Sequence, residues 1–421
     1  MIDPRRLGTL LLTATLFACG GEPANDETPA TDVPSAALKA DKGVDLKSKT
    51  IRIGALNDES GPAAVIGKPY AAGKRLLAAQ INAGNSGLLP EGWTIDLVER
   101  DHGYNPQKST QAFKEISENV LVVGTSFGTP NTLPLRPMLE ADNVVAFPAS
   151  LSSEMGKHKY TPPLGPSYIV EARRAMDWAV SNQGADTLKA GIIYQQDDYG
   201  KDGHTGWMAA AESHGVTVVS EQTVAPGQKD FTAVITSLKD AGADMVLLTT
   251  LPSATGPILG TASQLGYKPT WIGNTPAWID GFFNPEVIPS TVFSKYHQVN
   301  GLPFWGEDVP GMEAFTKAYA AHGTELGDKD FYLLLSYIQG LVQVEAAKRA
   351  IEAGDITRAG YLSQLTTIDN WTAAGMIQPL SLKAFPYETG TATRVLKPDF
   401  ETKSWNVVAD YAPVSEKPEE G

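Results

Sequence analysis

The sequence predicts an α/β protein: two doubly wound parallel-sheet lobes joined by a multi-strand hinge. Three observations lead there. Apolar runs of strand length alternate with segments of helical period, the pattern of repeated βα units and a parallel sheet. The alternation comes in two series, 51–147 and 191–273, one for each lobe. Between them "KYTPPLGPSYIV", 159–170, carries three prolines and a glycine and breaks regular structure. At 421 residues the chain also exceeds what one core usually organises.

Taken in order, the strands of the first series are "IRIGAL" (51–56), 95–99, 120–123 and 144–147. The second series has 191–194, 216–219, 245–249 and 270–273. Helical periodicity falls at 67–82, 107–118, 168–182, 202–214, 230–241 and 253–265. After 298 long helices take over, about 310–322 and 330–353, then "TRAGYLSQLTTI". "GMIQPLSL" and "WNVVADY" return to strand-like composition, so the chain should cross back between the lobes. The domains expected are lobe 1 from 50–166 plus 300–374, lobe 2 from 167–299 plus 375–412, and a tail, 413–421. Ligands of open α/β sheets bind beyond the carboxyl ends of the strands. The stretches to inspect are therefore 57–66, 124–132, 148–153, 195–200, 250–255 and 274–280.

The N-terminus reads as a targeting segment. Arg5 and Arg6 precede the short apolar run "LGTLLLTATLFA", which ends in "LFAC". Residues 1–18 are expected to be a signal peptide of the bacterial lipoprotein type, with Cys19 the lipidated first residue of the mature chain and its attachment to a membrane. Cys19 is the only cysteine, so it has no disulfide partner within the chain. The segment 19–49 is rich in Pro, Ala, Asp, Glu and Thr and predicts a flexible tether. The expected location is the cell envelope, outside the cytoplasm.

Bulk charge narrows the function. A net charge of −14 without a basic stripe argues against nucleic acid. The six histidines form no H-E-x-x-H pair or Cys–His cluster, so no metal is expected. "QQDDYGKDG", 195–203, has three aspartates, but the twelfth position from Asp197 is Met208 where a calcium loop needs glutamate. No glycine-rich phosphate loop occurs, and no cofactor is expected.

"VLVVGTSFGTPNTLP", 120–134, poses the one catalytic question: Gly124-Thr125-Ser126-Phe127-Gly128 is the outline of a nucleophile elbow. Such an elbow needs a helix starting almost at the serine. Pro130 and Pro134 would fall inside it, at a cost of ~3 kcal/mol or more for an interior proline. A start near Pro130, with Thr129 as N-cap, fits better. Ser126 is then loop architecture, and no catalysis is expected.

Five segments, in order, resemble periplasmic binding proteins of the type I fold, in particular the leucine/isoleucine/valine-binding group. They are "IRIGALNDESGPAAVIG", "IDLVERDHGYNPQKSTQAFKEI", "VVGTSFGTPNTLPLRPMLEADNVVAFPAS", "AGIIYQQDDYGKDG" and "APGQKDFTAVITSLKDAGADMVLL". The resemblance implies an extracytoplasmic solute receptor that serves ABC permease subunits. It implies ligand contacts at Ser60, Ile66, Thr129, Asn131, Thr132, Ala149, Ser150, Leu151, Tyr199, Leu251, Thr275 and Trp278. Relatives that bind amino acids hold the ammonium with a carboxylate and a tyrosine. Here those positions fall on Thr275 and Leu251, and a first-lobe hydroxyl falls on Leu151. Asp280 is the nearest acid in sequence. A buried ammonium without an acid is very costly. The expected solute has one polar end and an apolar body; the alternatives are ordinary amino-acid binding, or a sensor without a transport role.

Overall fold

The computed structural model describes residues 37–387 and 390–414. The signal segment, Cys19 and the tether up to residue 36 lie outside the described residues. In the first lobe the chain runs β1 (Lys39–Ala40), β2 (Val44–Asp45), β3 (Thr50–Asn57), α1 (Ala64–Asn82), β4 (Thr94–Asp101), α2 (Pro106–Ile116) and β5 (Val122–Phe127). It continues through α3 (Thr129–Thr132) and α4 (Arg136–Asp142) to β6 (Ala146–Ala149). The second lobe holds α5 (Tyr168–Gln183), β7 (Lys189–Gln195), α6 (Asp198–His214), β8 (Thr217–Val224) and α7 (Thr232–Ala241). Then come β9 (Met245–Thr249), α8 (Pro252–Gln264), β10 (Thr270–Gly273) and β11 (Tyr296–Asn300). The chain next gives α9 (Pro310–His322), α10 (Phe331–Glu352), β12 (Asp355–Ile356) and α11 (Arg358–Leu365), and ends in β13 (Ala392–Asp399) and β14 (Ser404–Pro413).

Both parallel sheets share one strand order: second, first, third, fourth. In the first lobe this is β4-β3-β5-β6, and in the second β8-β7-β9-β10, extended by β11. The central strands β5 and β9 are buried along their whole length, as continuous apolar runs in a doubly covered sheet must be. β13 and β14 add to β11 antiparallel, so the C-terminal strands belong to the second sheet. α9, α10 and α1 pack together beside the first sheet, so the chain recrosses between the lobes after β11 and after α11.

Local chemistry sets the helix starts. Asn105 Oδ1 accepts the Lys108 N–H at 2.9 Å, with Pro106 at the first helical position of α2. Asp197 Oδ1 caps α6 from the Gly200 N–H at 3.0 Å. Helix α3 departs from expectation. Its N-cap is Gly128, at φ +88°, rather than Thr129. A side chain at 128 would also meet Asn131 Nδ2 and Tyr104 Cε2 at 2.8 Å, so only glycine fits.

A second departure concerns 37–49, expected in the tether. β1 pairs with β12 and β2 with β3, and the Lys39 N–H donates to the Gly354 carbonyl at 3.0 Å. This stretch is part of the folded body. Its polar composition conceals that its backbone completes two sheet edges. "GMIQPLSL" departs the other way: it adds no strand to a sheet, only an isolated bridge between Trp371 and Leu380.

Candidate ligand cavity

The strand ends of both lobes converge on one cavity. It is narrow: the centre of a water molecule can reach only about 60 Å³ of it. From the first lobe come Ile66 and Tyr70 on α1, Tyr104, Phe127 to Thr129, and Pro148 to Leu151. The second lobe supplies Tyr199 on α6, Leu251 before α8, and Thr275 with Pro276 after β10. Leu164 and Tyr168 enter from the crossing, and Tyr332, Leu335 and Gln339 from α10.

Of the twelve residues expected from the sequence, eight line this cavity: Ile66, Thr129, Ala149, Ser150, Leu151, Tyr199, Leu251 and Thr275. Four do not. Ser60 is exposed on the loop after β3. Asn131 turns back and donates to the Phe127 carbonyl at 3.0 Å. Thr132 bonds the Ser126 hydroxyl at 2.8 Å and the Gly128 carbonyl at 3.0 Å. Trp278 is the centre of a separate aromatic core with Phe283 and Trp405, at ring separations of 5.0 and 4.7 Å. A large apolar side chain near a loop fills either a site or a core, and the sequence does not distinguish them.

Hydroxyl groups set the polarity. Thr129 Oγ1 and Ser150 Oγ lie 2.7 Å apart, and Ser150 Oγ also accepts the Ser152 N–H at 3.1 Å. Tyr199 donates to Asn274 Oδ1 at 2.8 Å, and Tyr332 to the Thr275 carbonyl at 2.9 Å. Five tyrosines, Tyr70, Tyr104, Tyr168, Tyr199 and Tyr332, line the space. Only Tyr199 was legible in the sequence. Tyr70 follows Ile66 by four residues, the same helix face, and that spacing could have flagged it. Tyr332 and Gln339 sit on a helix buried on nearly every side, where periodicity carries no signal.

No charged side chain lines the cavity among the described residues. Two acids stand directly behind lining residues: Asp197, which accepts the Tyr104 hydroxyl at 3.2 Å, and Glu171 on α5, behind Thr275. The Glu171 carboxylate accepts the Thr275 N–H at 3.0 Å and the Thr275 hydroxyl. Burial pushes this carboxyl up to about 8 even against those hydrogen bonds. Asp280, the nearest acid in sequence, points away: its carboxylate accepts the Phe331 N–H at 2.8 Å, at the start of α10.

The lobes are drawn together over the cavity. Tyr104 donates to Asp197 at 3.2 Å, the Ser153 N–H to Asp202 at 2.9 Å, and the Ser253 hydroxyl to the Pro62 carbonyl at 3.0 Å. A ligand touching both walls would shift an open–closed equilibrium toward this arrangement.

The family model described as "Periplasmic binding protein" matches residues 50–394. The chain belongs to the periplasmic binding protein family. Like its family, this periplasmic binding protein is an extracytoplasmic receptor that binds a small solute and works with ABC permeases. It is similar to Leu/Ile/Val-binding protein homolog 7 of Brucella abortus (strain 2308), 26% identical over 354 residues, 77% of this chain and 87% of the relative. In structure it is similar to a fatty acid ABC transporter substrate-binding protein from Thermomonospora curvata. The TM-score is 0.82 at 24% identity, covering 90% of this chain and 95% of that one. It is also similar to a branched chain amino acid ABC transporter from Thermus thermophilus with bound valine, with a TM-score of 0.74 at 19% identity, covering 89% of this chain and 97% of that one.

The serine of the G-x-S-x-G stretch is fully buried in this binding protein. Its hydroxyl is paired with Thr132, not with a histidine. No helix among the described residues is long and apolar enough to cross a membrane. No group of metal-ligating side chains occurs among them either.

Proposed function

We propose that the solute has an apolar body and one polar end, and that it is not an α-amino acid. The observation that carries this is the absence of a charged side chain from the cavity lining among the described residues. An ammonium enclosed there would face tyrosine rings, leucines and hydroxyls. Glu171 does not line the cavity: its carboxyl is engaged by the Thr275 N–H and hydroxyl instead. An apolar body gains ~25 cal/mol for each Å² removed from water against Ile66, Leu151, Leu251 and Leu335. The paired hydroxyls of Thr129 and Ser150 can hold the polar end. Similarity to a fatty acid carrier supports the reading; similarity to branched-chain amino acid carriers opposes it. Titration calorimetry with leucine, isoleucine and valine, set beside decanoate and 4-hydroxyphenylacetate, is the test. Micromolar binding of any of the three amino acids would overturn the reading.

Binding proceeds without catalysis. Ser126 serves the loop after β5 through its bond to Thr132 rather than as a nucleophile. The protein is held to a membrane through Cys19, a reading that rests on "LFAC" and the apolar run before it. Replacing Cys19 with Ser is expected to move the protein from the membrane to the soluble envelope fraction. Identical fractionation of the two forms would show that Cys19 is no anchor.

A further inference from the structure

Gln339 lies on α10, at the side of the cavity formed with α1. It is 1% exposed and lines the cavity. Its Nε2 donates to the Pro148 carbonyl at 2.8 Å. Only the amide nitrogen can pair with a carbonyl, so this bond fixes which way the side chain is turned. Its Oε1 has no hydrogen-bond partner. A buried acceptor left unpaired costs on the order of 1–3 kcal/mol. Tyr70 faces the same cavity from α1, its ring edge on Phe127 at 6.0 Å. Its hydroxyl has no hydrogen bond to another described residue. The two helices are tightly seated: a side chain at Gly73 would meet the Leu333 carbonyl at 2.1 Å, and Lys74 Nζ lies 3.4 Å from the Ser336 carbonyl. They cannot close further to satisfy either group. One wall of the cavity thus offers an unmet acceptor and a hydroxyl, both uncharged.

We propose that Gln339 and Tyr70 form a specificity-determining subsite that reads a neutral hydrogen-bond donor, a hydroxyl or a primary amide, on the apolar body of the solute. The inference rests on the reading of the cavity given above and adds a second polar contact, away from the Thr129–Ser150 pair. The donor pairs with Gln339 Oε1, and the Tyr70 hydroxyl donates back to the same group. A site built to pair with a hydroxyl discriminates against the analogue that lacks one, because its own polar groups are then stranded.

Two probe pairs differ at the donor alone or nearly so: 10-hydroxydecanoate against decanoate, and 4-hydroxyphenylacetate against 4-methoxyphenylacetate. Titration calorimetry on the full chain is expected to give at least tenfold tighter binding for the hydroxyl member of at least one pair. Gln339→Met and Tyr70→Phe should each bring that ratio towards one. Thermal unfolding checks that both variants fold, and Tyr70→Phe, which removes a single oxygen, serves if Gln339→Met does not. A ratio near one in the wild type for both pairs, or a ratio that neither variant changes, overturns the subsite and leaves the apolar-body reading standing. If none of the four compounds binds, the reading of the cavity falls and the subsite with it.

Discussion

Glu171 shows how much a single buried carboxyl can decide. It stands in the first turn of α5, where the helix dipole and Thr275 both favour its charged form. Burial outweighs them and raises it from the ordinary 4.5 to about 8. The folded protein therefore holds a proton that the unfolded chain releases between those values. Stability should fall as pH rises through that window, by up to ~1.4 kcal/mol per pH unit for a single group. Asp58, Asp197 and Asp202 are raised by burial as well and act in the same direction. Glu171→Gln keeps an acceptor for the Thr275 N–H and removes the titration. Melting temperatures from pH 5 to 8 are expected to decline less steeply in this variant, which should be the more stable form at pH 8. An unchanged slope would mean that Glu171 is ionised in the folded state. None of this was legible in the sequence, where Glu171 is one acid in a helical stretch 104 residues from Thr275.

Elements were easier to foresee than their partners. The runs at 245–249 and 270–273 are strands β9 and β10 to the residue, because buried parallel strands are written as unbroken apolar runs. The helix expected at 310–322 is α9, opened by Pro310 in its first turn. The stretch 37–49 escaped, since two-residue strands leave no periodicity. It is held by contacts distant in sequence. Gly43 at φ +78° lies so close to Leu121 that a side chain there would overlap its backbone nitrogen at 1.9 Å. Asp41 accepts the Arg358 N–H at 3.0 Å. The buried Arg358 guanidinium in turn donates to the carbonyls of Ser117, Val120 and Asp142, tying the end of α2, the entry to β5 and the end of α4. Arg358→Met strands those carbonyls, and a loss of about 2–4 kcal/mol in unfolding free energy is expected from denaturant titration. Ligand affinity should stay within a few-fold, since Arg358 does not line the cavity. A fully stable variant would show that water replaces the guanidinium.

At the scale of the whole molecule, two sheets share one strand order, and residues just past their strand ends supply much of the cavity wall. Asp202 meets Ser153, Asp197 meets Tyr104 and Asp280 meets the start of α10. These groups come from segments far apart in the chain. α10 matters most in this respect. It is a long helix of the first lobe that reaches the second through Tyr332, whose single O–H is shared between the Thr275 and Trp278 carbonyls, each 2.9 Å away. It therefore lines the site and braces both walls. Its sequence reads only as a helix buried on nearly every side.

The sequence alone determined the α/β class, the two βα series and the strand-end loops, several of which line the cavity. The resemblance to the family further led to the expectation that Leu151, Leu251 and Thr275 stand where relatives read an amino acid's charges. These are local or periodic properties, set by alternation, proline placement and residue type. Tertiary structure decided which side chains line the cavity. It turned Asn131, Thr132 and Trp278 inward to the loop or core, and brought Tyr70, Tyr104, Tyr332 and Gln339 to the cavity. It also set Glu171 behind Thr275. The physical reason is that facing and burial depend on what packs opposite. A rotation about one side-chain bond separates a ligand contact from a core residue, and a buried carboxyl takes its charge state from neighbours that only the fold brings near.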